Sequence, residues 1–261
     1  MIQLAANVSM MFTEREFLDR FAAAASCGFT GAEYLFPYDF PAEEVAKALA
    51  DAKLHNALFN FPPGNWDAGE RGLAGLPGRE TEFAESLALG LHYAEVIGCK
   101  QLHLMYGLPP DGADRAECER LYISNLKRAA EAARAIGLTI LIEPLNTRDV
   151  PGYPLLSQAQ AHDIVSKVGA DNVSVQFDLY HCQIMEGDVA TKIKAFAGRF
   201  GHVQIAGVPE RHEPDIGEVN YAYLLDTLDA SGYRGWVGCE YRPQGRTEAG
   251  LGWAAGYGIN A

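Results

Sequence analysis

Apolar residues recur along this chain in runs of five or six, separated by longer amphipathic stretches. The runs fall near 2–6, 30–35, 56–60, 100–105, 138–143, 173–178, 202–206 and 236–240. Each is bounded by turn-forming residues, and several are rich in β-branched or aromatic side chains, which predicts eight short buried strands. The intervening stretches carry helical spacing. In the first, Thr13 and Glu16 form a capping box ahead of Phe17 and Phe21, one turn apart on one face. In the fourth, Asn125, Lys127 and Arg128 fall among Leu121, Leu126, Ala129 and Ala133.

Glycine punctuates this pattern. Gly28, Gly98, Gly137, Gly169, Gly201 and Gly232 each stand between a helix-like stretch and an apolar run, where a helix end favours positive φ. Their separations are 70, 39, 32, 32 and 31 residues, and the first gap fits two repeats with a glycine-free join near Lys53. A period of about 30–35 residues is one βα unit. Eight such units in 261 residues predict a closed (β/α)8 barrel, a TIM barrel, over an open doubly wound sheet. An open sheet usually carries a glycine-rich turn after its first strand, and here that turn is Asn7-Val8-Ser9-Met10-Met11. No low-complexity linker divides the chain, so residues 1–261 are expected to form a single barrel domain.

Three long connections follow strands and so emerge at the C-terminal face, where barrels of this kind carry their sites. They are Phe61 to Arg79, Thr147 to Leu155 and Ala206 to Gly217. Four consecutive strands also end in residues suited to a hard cation: Glu143, Asp178, Gln204 and Glu240. Their separations of 35, 26 and 36 residues are about one unit each. Strand alternation places Gln176 with Asp178 and His202 with Gln204 on shared faces. Carboxylates at the ends of apolar strands are costly to desolvate, and a divalent ion would compensate three of them. An all-oxygen set suits Mg²⁺ first and Mn²⁺ second, rather than Zn²⁺. His181 and Arg211 fall near the same strand ends. His103 is expected to pack in the core with a satisfied hydrogen bond. Trp66, Tyr34, Tyr106 and Tyr241 could line a pocket, although most aromatic side chains simply pack a core.

Charge and composition narrow the function. The net charge of −13, with no Lys/Arg cluster, argues against a nucleic-acid partner. No run approaches the length needed to span a bilayer, and no basic region precedes an apolar stretch at the N-terminus. Five widely spaced cysteines without a C-x-x-C pair suggest buried free thiols in a reducing cytoplasm. G-x-S-x-G, Walker and H-E-x-x-H motifs are absent.

Several segments together resemble the hydroxypyruvate isomerase family of xylose isomerase-like TIM barrels. They are Asn7-Val8-Ser9-Met10, Glu33 to Asp39, Trp66 to Gly72, Ile142-Glu143-Pro144-Leu145-Asn146, Asp178-Leu179-Tyr180-His181 and Gly238-Cys239-Glu240-Tyr241. The resemblance implies that Glu143 and Glu240 are the acid–base pair and also metal ligands with Asp178 and Gln204. It implies a single divalent cation and conversion of hydroxypyruvate to tartronate semialdehyde by proton transfer through an enediolate. A looser resemblance to ketose epimerases implies that His181 and Arg211 hold substrate oxygens. The substrate carboxylate needs a cation, with Arg211 as first candidate and Arg71 as second. After Gln204-Ile205-Ala206 the chain has Gly207-Val208-Pro209 in place of an Asp-Asn-Pro-like turn, which leaves 2-oxotetronate or a ketose open as the substrate. The remaining alternatives are a metal-dependent phosphodiesterase of the abasic-site endonuclease type and a non-catalytic ligand-binding barrel. A small hydroxy-oxo acid is the expected partner, with a homo-oligomer left open.

Overall fold

A computed structural model describes residues 2–260. Eight parallel strands form a closed barrel in chain order, sealed by pairing of the last strand with the first. They are β1 (Gln3–Asn7), β2 (Gly31–Glu33), β3 (His55–Asn60), β4 (Gln101–His103), β5 (Thr139–Ile142), β6 (Val173–Asp178), β7 (Phe200–Ile205) and β8 (Trp236–Cys239). The helices outside are α1 (Asp19–Ser26), α2 (Ala42–Ala52), α3 (Glu80–Ile97), α4 (Arg115–Arg134), α5 (Gln158–Val168), α6 (Leu179–Met185), α7 (Val189–Ala195) and α8 (Tyr221–Ala230). The eight predicted strands are therefore all present. The helical layer departs from one helix per strand, because two short helices follow β6 and 3₁₀ turns over Glu248–Tyr257 follow β8.

Apolar side chains between strands and helices form the core, including Phe177, Val175, Ile140 and Leu126, all fully buried. Phe177 meets Phe200 edge-on at 5.4 Å between ring centroids. All five cysteines are buried and unpaired. No helix among the described residues is long and apolar enough to cross a membrane.

Two local expectations need correction. The capping box at Thr13 and Glu16 does not start a helix: Thr13 lies in a turn, Glu16 in irregular backbone, and α1 begins at Asp19. The Phe17–Phe21 contact survives, at 5.5 Å, because Phe17 packs from the preceding turn. Gly201 does not follow a helix either. It lies inside β7, where the register passes from Val175↔Phe200 to Gln176↔His202 and leaves Gly201 as the extra residue of a bulge. Gly198, at φ +73°, makes the turn instead. A bulge re-aims the residues that follow it. Here it sets His202 and Gln204 against β6 inside the barrel, with Gln204 level with Asp178. Lys53, by contrast, does end α2 in the left-handed conformation.

Candidate active site

A cavity of about 330 Å³ opens at the C-terminal end of the barrel, at the small end of the range for ligand sites. All three long connections reach it: Trp66 and Arg71 come from the first, Asp149 and Val150 from the second, and Arg211 from the third. Glu143, Glu240, His181 and Gln176 also line it. Glu143 and Glu240 follow β5 and β8, three strands apart around the ring of eight. Asp178 and Gln204 are buried but are not among the lining residues.

The carboxylates differ in how they are held. Asp178 accepts from the backbone N–H groups of Tyr180 (2.7 Å) and His181 (3.4 Å) as α6 begins. Glu240 pairs through Oε2 with Arg211 Nη2, and its Oε1 accepts from Asn7 Nδ2 at 3.4 Å. Glu143 is the least supported: Oε1 has no partner, and Oε2 lies 3.5 Å from His103 Nδ1. Burial, followed by the charges of Asp178 and Glu240, holds the Glu143 carboxyl well above the usual carboxylate range. Burial also pushes Glu240 up to about 8 and Asp178 up to about 6, with Arg211 opposing both shifts.

Arg211 adopts φ +62°, and its amide N–H donates to the Gly207 carbonyl at 2.8 Å. Its guanidinium lies over the Tyr180 ring at 4.9 Å. It reaches Asp149 at 3.3 Å and Asp178 at 3.9 Å, in addition to Glu240. Burial alone would lower its pKa, but these three carboxylates raise it. Arg71 is held differently. It lies 3.6 Å from the Trp66 ring centroid and donates to the Trp66 and Glu70 carbonyls at 3.1 and 2.7 Å. No carboxylate among the described residues pairs with it.

His181 has a defined tautomer. Its Nδ1 accepts from the Asn146 backbone N–H at 3.0 Å, which places the ring proton on Nε2, 3.5 Å from Asp178 Oδ2. Potential ligand atoms of Glu143, Asp178 and His181 lie within 4.8 Å of one another. With its proton on Nε2, however, His181 offers a hydrogen-bond donor there rather than a lone pair. His103 corrects the core-packing expectation: it is buried, but it lines the cavity and its Nε2 has no partner. Burial lowers its pKa to about 3, so the ring is neutral.

The structure also brings in residues that strand-end reasoning missed. Glu33 is completely buried at the end of β2, beside Asn7, His202 and Gln204. Its signal was weaker than that of Glu143 and Glu240, because it falls inside the predicted run 30–35 with Tyr34 and Leu35 after it rather than closing the run. Asp149, Asn60 and Arg242 also line or brace the cavity. Asp149 and Arg242 come from loops, where sequence offers no comparable mark, whereas Asn60 ends β3 and closes the predicted run 56–60.

Two glutamates, Glu143 and Glu240, and three arginines, Arg71, Arg211 and Arg242, line a small cavity at the C-terminal mouth of a closed barrel. The chain belongs to the xylose isomerase-like TIM barrel family, whose model matches residues 21–257. It is 57% identical over 98% of its length to the 2-oxo-tetronate isomerase of Cupriavidus necator, 99% of which is covered. It is 44% identical over 98% of its length to the hydroxypyruvate isomerase of Escherichia coli, covering all of that protein. A crystal structure described as an AP endonuclease, family 2, from Brucella melitensis superposes with a TM-score of 0.96 at 52% identity, covering 98% of this chain and 99% of that one. The chain is an enzyme of the isomerase class, an intramolecular oxidoreductase.

The raised glutamates give a signed pH dependence. Above about pH 6.5 an unfolded histidine is mostly neutral, and an unfolded glutamate ionises near about 4.3. Glu143 and Glu240 therefore bind more protons folded than unfolded, and stability is lost as pH rises through the folded value of about 8 for Glu240. In chelator, the melting temperature should fall from about pH 6.5 to about 8, and Glu240→Gln should flatten that fall. A melting temperature that climbs over this range would contradict the assignment.

Proposed function

We propose that this enzyme moves the carbonyl of a short 3-hydroxy-2-oxo acid from C2 to C3. The observation that carries this reading is the pair of buried glutamates, Glu143 and Glu240, lining one small cavity with unsatisfied carboxylate capacity and arginines around it. One glutamate removes the C3 proton while the C2 oxygen takes up a proton, giving an enediol. The other delivers a proton to C2 as the C3 hydroxyl loses its own, leaving a 2-hydroxy-3-oxo acid. Positioned proton transfer of this kind contributes about 10²–10⁴ per group. The His181 Nε2–H is oriented to donate to a substrate oxygen. Arg71 is the better holder of the substrate carboxylate, because Arg211 is already engaged by three carboxylates. This reverses the order expected from sequence.

The donor set fits a hard divalent cation. Glu143 Oε1 is buried without a partner, the carboxyl groups crowd together, and the Gln204 oxygen keeps one lone pair beyond its bond from Gln176. Glu143, Asp178, Gln204 and Glu240 would hold it, Mg²⁺ first and Mn²⁺ second. Such an ion supplies Lewis-acid stabilisation of negative charge on the substrate oxygens.

The greater identity to the 2-oxo-tetronate isomerase favours that four-carbon acid, with hydroxypyruvate, giving tartronate semialdehyde, as the second substrate. The Brucella structure's description supports a nuclease as an alternative, but a net charge of −13 opposes binding to a polyanion.

Assays on 2-oxotetronate, hydroxypyruvate, neutral ketoses and abasic-site DNA distinguish these readings. Turnover should be greatest on 2-oxotetronate, and the product formed in D₂O should carry solvent deuterium at C2. Full retention of a C3 deuterium label would indicate a hydride shift instead, and cleavage of the DNA would favour the nuclease. Glu143→Gln and Glu240→Gln should each lower kcat by about 10²–10⁴, with losses that do not add, because both serve one proton relay. Arg71→Ala should raise KM for the acid by about 10–100-fold, equivalent to about 1.5–3 kcal/mol. An unchanged KM would return the carboxylate to Arg211.

A further inference from the structure

Beneath the cavity, five polar side chains inside the barrel form one hydrogen-bond network centred on Glu33. Glu33 Oε1 accepts from Gln204 Nε2 at 2.8 Å and from Asn7 Nδ2 at 2.9 Å. Glu33 Oε2 lies 2.6 Å from His202 Nε2, which donates to it. Gln204 Oε1 accepts in turn from Gln176 Nε2 at 2.5 Å. Gln176 Oε1 then remains buried without a partner, on a residue that lines the cavity.

The direction of this network has a single origin. An ionised carboxylate can only accept, whereas an amide can present either end. Reversing the Gln204 amide would set its oxygen against Glu33 Oε1 and its NH₂ against that of Gln176. We infer that Glu33 is a positioning residue for the isomerase: its carboxylate fixes the amide polarity of Gln204, which turns its NH₂ to Glu33 and its oxygen the other way, toward Gln176. Asn7 extends the same control to Glu240, since its Nδ2 is shared between the Glu33 and Glu240 carboxylates. The fold reserves space for Glu33: a Cβ on Gly238 would lie 2.1 Å from Glu33 Oε2. Backbone pairing of Asn7 with Glu33 and of Gln204 with Gly238 holds these residues side by side.

This inference rests on the proposal that Gln204 ligates a cation, and Mn²⁺ binding followed by electron paramagnetic resonance tests the two separately. Near-UV circular dichroism monitors folding of each variant. In Glu33→Gln the new amide can donate as well as accept, so Gln204 is free to reverse. Its Mn²⁺ affinity should fall about 10–100-fold, the usual effect of removing a group that orients a ligand. Gln204→Glu alone sets two carboxylates against each other and should also bind weakly or fold poorly. In the double variant, the amide at position 33 donates to a carboxylate at position 204 that has no NH₂ end to present, and Mn²⁺ binding should exceed that of either single variant. If the original protein binds no Mn²⁺, the cation reading falls and the role of Glu33 with it. If it binds Mn²⁺ and Glu33→Gln binds equally well, only the role of Glu33 falls. A double variant no better than Glu33→Gln, or no better than Gln204→Glu, also overturns it.

Discussion

Everything at the mouth of this barrel depends on four carboxylates, Glu33, Glu143, Asp178 and Glu240, buried inside one ring of strands. Each would be strongly destabilising in isolation, because an unpaired charge in a low-dielectric interior costs far more than any single packing contact returns. The structure compensates them unequally. Glu33 has two amides and an imidazole, Asp178 has two backbone N–H groups, and Glu240 has Arg211. Glu143 keeps an unpartnered oxygen facing the cavity. In the proposed function that gradient separates structure from chemistry: the fully satisfied carboxylate would organise its neighbours, and the least satisfied one would take a ligand or a proton.

The loops serve this arrangement by fixing cations. Arg211 is drawn in by a left-handed backbone at its own position and by a hydrogen bond from Arg242 N–H to its carbonyl at 2.7 Å. Arg71 is clamped on Trp66, whose ring meets Phe36 at 4.9 Å. One guanidinium therefore neutralises the protein's own carboxylates, while the other has no carboxylate partner among the described residues and is the one proposed for the substrate. The distinction arises from which loop carries which counter-charge, a property of tertiary placement.

This also explains what was legible in the sequence. The strands and their order were legible because a buried parallel strand must be a short apolar run, and a helix return needs a turn that glycine supplies cheaply. Glu143, Asp178 and Glu240 were legible because polar residues at the ends of such runs are costly without a purpose. Gly201 misled because a bulge inside β7 and a helix-terminating turn place the same residue beside the same kind of apolar run. Thr13 and Glu16 misled because their spacing also fits a turn that never propagates into helix. Glu33 was masked because the apolar run 30–35 continues past it through Tyr34 and Leu35 although β2 ends there, and because β2 lies outside the consecutive series β5 to β8. Asp149 and the tautomer of His181 depend on contacts between separate loops and helices, so no local pattern encodes them.

The central claim is that Glu143, Asp178, Glu240 and Gln204 hold one cation, with Glu143 and Glu240 also moving the proton. A crystal structure of the Mn²⁺-soaked protein, recorded at a wavelength giving manganese anomalous signal, tests it most directly. The account predicts one anomalous peak about 2.0–2.3 Å from oxygens of Glu143, Asp178, Glu240 and Gln204, with the Arg211 guanidinium withdrawn from between Asp178 and Glu240. No peak in the barrel mouth, or a peak held by residues that exclude Gln204 and Glu240, would contradict it.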